Sequence, residues 1–257
     1  MNKSDPVNEA VSAYWRFFEG TNSRDSAQMT GGLNYPHARI SARGKPGIAQ
    51  ERAAHAARMT FDAMLETGWD HTIGAEPEVL HASNEKVHIR GGWTRYNRDD
   101  EPIMSNEVCY IMTRTADGWG VQSRFGTDSQ LFWGKPEDRP VEEVSDLEAN
   151  RTSAEQVLLT ALAAMGSDND ATTGCFHDPY LIIDVGSVDV LTADDLPQRL
   201  PSRPATGVSV AAIQVGATGV NLTFDATFGD RTIEGLAIVV LSESNHDRWS
   251  IRGSSII

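Results

Sequence analysis

An internal repeat constrains this 257-residue chain more than any other feature, because two copies of one supersecondary plan require two similar cores. Val7, Val11, Trp15 and Phe18 share a helical face; a polar stretch with Asp25 follows, then the strand-like Leu33-Asn-Tyr-Pro-His-Ala-Arg-Ile-Ser41. The plan returns 143 residues later. Leu158, Leu162 and Met165 make a helical stripe, Asp168 takes the place of Asp25, and the strand Cys175–Asp184 carries Pro179 where the first carries Pro36. The ends of the halves also match, now at an offset of 130, with Val108–Val121 over Ile238–Ile251 and Trp119 over Trp249.

Each half reads as helices, a strand, a helix and then long strands, an α+β plan. In the first half the helix is Pro46 to Leu65, and the last strands are Lys86–Tyr96, Ile103–Arg114 and Trp119–Gly126, joined by polar hairpin turns. The second half has only the short helix Ala193 to Leu200. Gly134–Asp146, rich in Pro and charge, is the expected linker, which places one domain at residues 1–145 and a second at 146–257.

Composition excludes several classes. With 22 Lys and Arg against 36 Asp and Glu, the net charge of -14 repels nucleic acid and anionic membranes. No apolar run is long enough to span a membrane and the start is too polar for a signal peptide, so a cytoplasmic protein is expected. The two cysteines, Cys109 and Cys175, are expected to be buried free thiols. Glycine-rich phosphate loops, His-Glu-x-x-His and G-x-S-x-G are all missing from the sequence, and its histidines show no tight metal-ligand spacing.

The helical hairpin, the strand carrying Tyr35-Pro-His37 or Asp178-Pro179, the third helix and the aromatic-rich final hairpin resemble the nuclear transport factor 2-like superfamily. That superfamily includes ketosteroid isomerases and polyketide cyclases. The resemblance implies two tandem cone-shaped α+β barrels, each a curved, mostly antiparallel sheet wrapped by helices, and a homo-oligomer, dimer or trimer, formed through open sheet faces. Leu33–Ile40, Gly68-Trp-Asp-His71, Lys86-Val-His88, Trp93-Thr-Arg-Tyr96 and Trp119–Arg124 are similar within it to a group of bacterial proteins mostly of unassigned function, whose relatives of known chemistry include the cofactorless diarylpropane lyases of lignin-degrading bacteria. These release formaldehyde from an aromatic propanediol.

Strand alternation groups Tyr35, His37, Arg39 and Ser41 on one face, as it groups Trp69 with His71, Trp93 with Arg95, Glu107 with Cys109, and Gln122 with Arg124. Laid over the isomerase pattern, Asp184 falls on the catalytic aspartate and Ser41 on its counterpart, which points the His37–Arg39 face into the first cone. Tyr110 and Glu107 lie on opposite faces of one strand and are rivals for that pocket.

At the offsets above, His37, Arg39, Trp93, Arg95, Glu107, Tyr110 and Arg124 fall on Tyr180, Ile182, Thr223, Asp225, Ala237, Val240 and Ser254. Ionisable groups are thus concentrated in the first half, and a buried charge costs several kcal/mol unless paired or used. The first domain is therefore expected to be catalytic and the second structural. The resemblance implies a lyase without cofactor or metal, acting on a small aromatic hydroxylated substrate, with isomerase, dehydratase, cyclase or non-catalytic ligand-binding protein as alternatives. The expected catalytic set is His37, Arg39, His71, Glu107 and Tyr110; the expected substrate contacts are Tyr14, Tyr35, Trp69, Trp93, Arg95 and Arg124.

Overall fold

The computed structural model describes residues 5–128, 130–131, 146–242 and 248–257. The expected linker lies almost wholly outside these residues, as does the segment 243–247 of the second-half overlay. The chain is α+β, built as two cone-shaped units in tandem. The first opens with α1 (Pro6–Asn22) and α2 (Ser26–Gly31), each started by an aspartate whose carboxylate accepts from free backbone N–H groups, Asp5 from Val7 and Asp25 from Ala27. After these come β1 (Leu33–Ser41), β2 (Gly47–Ala49), α3 (Arg52–Arg58), α4 (Asp62–Leu65), β3 (His71–Gly74), β4 (Glu78–Ala82), β5 (Lys86–Tyr96), β6 (Pro102–Thr115), β7 (Gly118–Gly126) and β8 (Gln130–Leu131). The sheet runs β2-β1-β7-β6-β5-β3, with β1 parallel to β7, β4 also on β5, and β8 on β6.

The second unit repeats the plan with α5 (Leu147–Ala164), α6 (Asn169–Thr173), β9 (Phe176–Asp184), β10 (Ser187–Leu191), α7 (Leu196–Arg199), β11 (Gly207–Val215), β12 (Gly219–Phe228), β13 (Arg231–Ser242) and β14 (Arg248–Ile256). Its sheet runs β10-β9-β14-β13-β12-β11. Asp168 caps α6 as Asp25 caps α2, so the repeated aspartate is a helix cap.

The expected helix Pro46–Leu65 is broken in two places. Gly47–Ala49 extends to pair with β1, His37 opposite Ala49, and Met59 is extended between α3 and α4. This bend lets both Met59 and Met64 pack against the first core.

Each sheet has one face on its helices. Leu33, Val87, Ile89, Val108, Tyr110, Met112 and Val121 form the first core with α1, and Leu222, Phe224, Ala237, Val239 and Ile251 form the second with α5. The opposite faces meet each other. Ala38, Ile40, Cys109, Ile111 and Phe125 pack against Leu181, Ile183, Leu236, Ile238 and Val240 in a third core between the units. The sheet faces on which the expected oligomer rested are thus covered within one chain. Polar bridges frame the apolar centre. The Lys86 ammonium, 4% exposed, donates to Asp184 Oδ1 at 2.8 Å and Ile256 O at 2.7 Å, and His88 Nε2 lies 3.0 Å from Ser255 Oγ.

Register corrects the comparison of the halves. Ile111 pairs with Ser123 and Ile238 with Gly253, so β13 follows β6 at an offset of 127 while β14 follows β7 at 130. The turn between β13 and β14 is three residues longer, which a gap-free overlay cannot accommodate. Through the β5–β6 and β12–β13 registers, Trp93, Arg95, Glu107 and Tyr110 match Ala226, Phe228, Glu234 and Ala237, not the residues expected. His37, Arg39 and Arg124 keep Tyr180, Ile182 and Ser254.

Candidate functional site: an arginine-lined cavity in the first cone

One extra residue in β7 decides which side chains enter the first cone. Trp119 and Val121 face the core, so simple alternation would send Arg124 to the opposite face. Ile111 and Met112 of β6, however, pair with Ser123 and Val121, which leaves Gln122 as a bulge. Gln122 turns toward the second unit, accepting from Gly186 N at 3.2 Å, and Arg124 is re-aimed inward. Arg252 is the matching bulge in β14, and it donates to Ser41 O at 2.8 Å and Gly44 O at 3.0 Å.

Arg124 lies in register with Arg39 on β1 and with Tyr110 on β6, giving a row of three polar side chains on the inner face. Beside this row is a cavity of about 150 Å³. Its walls include Phe17 and Phe18 of α1, Met59 and Met64, Thr72 of β3, and Trp93, Arg95 and Asn106 of the sheet, with Arg39 and Arg124. Arg39 is exposed at the mouth. The Arg95 guanidinium lies 4.7 Å from the Trp93 ring centroid and that of Arg124 lies 5.1 Å from Phe17. Among the described residues no carboxylate forms an ion pair with Arg39, Arg95 or Arg124. Burial, then the nearby Arg39 charge, pushes Arg95 and Arg124 down to about 10.

His37, on the inner face of β1, is 3% exposed. Its Nδ1 lies 3.0 Å from Val121 O, and a carbonyl only accepts, so Nδ1 carries the proton and Nε2 a lone pair. That Nε2 is buried with no hydrogen-bond partner, as are Tyr110 OH and Arg124 Nε. Burial, then the nearby Arg124 charge, pushes His37 down to about 3, so the ring is neutral at physiological pH. His55 stacks on it at 6.2 Å, and His55 Nδ1 lies 2.9 Å from the Tyr35 hydroxyl. Burial holds Tyr35 up at about 12 and raises Tyr110 well above the usual tyrosine value.

The structure thus gathers Arg39, Trp93, Arg95 and Arg124 in the cavity wall, while His37 and Tyr110 flank Arg124 from behind that wall without lining it, Tyr110 within the first core. Five expected site residues lie elsewhere or are already committed. Glu107 is exposed on the face of β6 opposite Tyr110, the face it shares with Cys109 and Ile111. His71 is on the outer face of β3, since its neighbour Thr72 lines the cavity; it stacks on Tyr96 and lies 3.3 Å from Asp70. The Tyr14 hydroxyl donates to Ala75 O at 2.7 Å inside the core. Trp69 is core as well: its indole N–H donates to Thr72 Oγ1 at 2.9 Å, supporting the wall without forming it. Tyr35 contacts His55 and does not line the cavity.

Sequence reasoning passed over Met59, Met64, Thr72 and Asn106 in the wall and His55 beside His37. His55 and Met59, four apart, were legible as one helical face. Asp184, on the isomerase aspartate position, is bound to Lys86 at the unit interface, and Lys86 holds its carboxyl below the usual range despite the opposing effect of burial. Among the described residues no group of three or more His, Cys, Asp or Glu side chains could hold a metal ion, and no helix is long and apolar enough to cross a membrane.

The second cone has a cavity of about 90 Å³ lined by Leu158, Phe176, Ile182, Phe228, Ala237 and Ser254 among others. Ile182, Phe228 and Ser254 are the counterparts of Arg39, Arg95 and Arg124. The fold therefore builds a similar hollow with no arginine at these three positions, and the arginine that does reach its wall, Arg199 of α7, is paired with Asp189.

No family model matches the chain, and no curated protein matches it. Similar solved structures include a nuclear transport factor 2-like protein of unknown function from Shewanella oneidensis, 17% identical, covering 48% of this chain and 100% of that one at a TM-score of 0.39. A ketosteroid isomerase-like protein from Erwinia carotovora is 15% identical, covering 49% of this chain and 97% of its own at 0.37. A nuclear transport factor 2-like protein with a cystatin-like fold from Novosphingobium aromaticivorans is 15% identical, covering 51% and 85% at 0.39.

Proposed function

We propose that the first cone is a small-molecule site of a cofactor-independent acid–base enzyme, a carbon–oxygen or carbon–carbon lyase acting on an aromatic hydroxylated compound. The observation that carries this reading is the unpartnered, neutral His37 Nε2 beside Arg124. A buried lone pair without a donor is costly unless something uses it, and a proton to be abstracted is such a use. In an elimination, Nε2 takes the substrate's C–H proton, the C–H pair becomes the new π bond, and Tyr110 gives its proton to the departing hydroxyl, which leaves as water. Return of the proton from His37 to Tyr110 through solvent resets the site. Arg124 lies on the strand between the two groups, whose backbones are two strands across and two residues along, about 12 Å apart, and its charge would stabilise the oxyanion that develops.

The resemblance points to a 1,2-diaryl-1,3-propanediol, whose cleavage to a stilbene would instead expel formaldehyde and water. A cavity of about 150 Å³ is on the scale of one benzene ring, so the second ring of such a diol would sit at the mouth beside Arg39. Incubation without metal or cofactor, with that diol and with single-ring aryl hydroxy acids, tests the reading by product mass, stilbene absorbance and trapped formaldehyde. Turnover that His37→Gln abolishes supports it. Ligand binding without turnover of any of these compounds would replace it with a binding protein.

A further inference from the structure

We propose that the first-cone cavity takes a single-ring aromatic acid, with its carboxylate on Arg39, Arg95 and Arg124 and its ring against Trp93, Phe17 and Met64. This rests on reading the cavity as the substrate site and adds the ligand's charge, which the acid–base chemistry alone leaves open.

Three observations converge on an anion. First, the protein carries a net charge of -14, yet three cations and no acidic side chain line this cavity. Arg95 and Arg124 are partly withdrawn from water and Arg39 adds its charge at the mouth, and a bound anion removes the cost of holding these like charges together. Second, the Arg95 guanidinium is held over Trp93 and that of Arg124 over Phe17, and although one Arg95 N–H donates to Met104 Sδ, neither guanidinium has, among the described residues, an oxygen acceptor of the planar kind that its fork of N–H donors suits. Arg124 Nε in particular is buried and has no partner. Third, the second cone forms its cavity with Ile182, Phe228 and Ser254 at the matching positions, and the arginine that reaches its wall, Arg199, has Asp189 as an ion-pair partner, so unpaired arginines at these positions answer no demand of the fold.

Size and lining select the rest of the ligand. A hollow of about 150 Å³ walled by Phe17, Phe18, Met59, Met64 and Trp93 suits one aromatic ring and offers little to a small hydrated anion. The carboxylate would also act on the chemistry. Arg124 and Arg39 both depress His37, and an anion between them offsets that part of the depression and makes the imidazole a stronger base.

Isothermal titration of the full chain with benzoate, benzamide and inorganic phosphate, at low and high salt, tests the proposal. Benzoate is expected to bind at least tenfold more tightly than benzamide and phosphate, and Arg124→Met and Arg39→Met to erase most of the preference. Arg39 is exposed, so its variant keeps the test alive if Arg124→Met fails to fold. Equal binding of benzoate and benzamide overturns the proposal, as does a preference that survives both substitutions or phosphate binding as tight as benzoate. Arginine-dependent benzoate binding with no turnover of any aryl acid leaves this inference standing and removes the lyase reading. Turnover of neutral substrates alone does the reverse.

Discussion

Arg39 and Arg124 face each other across the parallel β1–β7 pair, Cα partners in register, and among the described residues neither has a carboxylate to neutralise it. A fold that only needed to fill this hollow could do so as the second cone does, with Ile182 and Ser254.

That arrangement sets function against stability. Arg124→Met and Tyr110→Phe each remove a buried polar atom that has no partner, so urea unfolding is expected to show stability unchanged or raised by about 1 kcal/mol, alongside weakened ligand binding or turnover. A loss of several kcal/mol in either variant would mean that these groups hold the fold together.

Acid stability reports on His37. Its folded value of about 3 lies below the unfolded value of 6.5, so between these pH values the unfolded chain binds the extra proton. Stability from this residue is full above 6.5 and is lost as pH falls toward 3, by up to about 1.4 kcal/mol per pH unit. His88, held well below its ordinary value by burial, acts with the same sign. Denaturant midpoints from pH 7 to 4 should therefore fall in both proteins, but less steeply in His37→Gln than in the wild type.

The bulge at Gln122 is expected to be structural. Its Oε1 accepts from Thr113 Oγ1 at 2.9 Å and from Gly186 N at 3.2 Å, so Gln122→Ala should cost about 1–3 kcal/mol of stability. Benzoate affinity should stay within twofold in calorimetry, because the bulge itself, not its side chain, aims Arg124 into the cavity.

The second cone should respond in stability alone. Leu222, fully buried in its core, is expected to cost about 2–5 kcal/mol when changed to Ala, with the first cavity's ligand binding unchanged by calorimetry.

The repeat, including the matching positions of Asp25 and Asp168, and the strands from Lys86 onward were legible because period-2 runs and polar turns survive without tertiary context, whereas the capping role of the two aspartates emerges only from the structure. The inward face of β1 was also legible, through the position that Ser41 shares with Asp184. Other features depend on contacts that one sequence does not display. Arg124 enters the cavity through a single-residue bulge, and the true partner of Tyr110 is hidden by a three-residue difference in turn length. Glu107 and His71 looked as chemical as His37, and only burial against the second unit or solvent separates their faces. Helix-like spacing over Pro46–Leu65 gave no sign that Gly47–Ala49 would be drawn into β1 pairing.

The central claim is that His37 serves as a base inside the first cone, and deuterium exchange measures it most directly. Phenylpyruvate, a single-ring acid with an enolisable C–H bond, is incubated in deuterated buffer, and loss of the C–H signal is followed by NMR with wild type, His37→Gln and Leu222→Ala. The account predicts protein-accelerated exchange that falls by about 100-fold or more in His37→Gln and persists in Leu222→Ala. Bound phenylpyruvate that exchanges no faster than in buffer, or acceleration undiminished in His37→Gln, would contradict it.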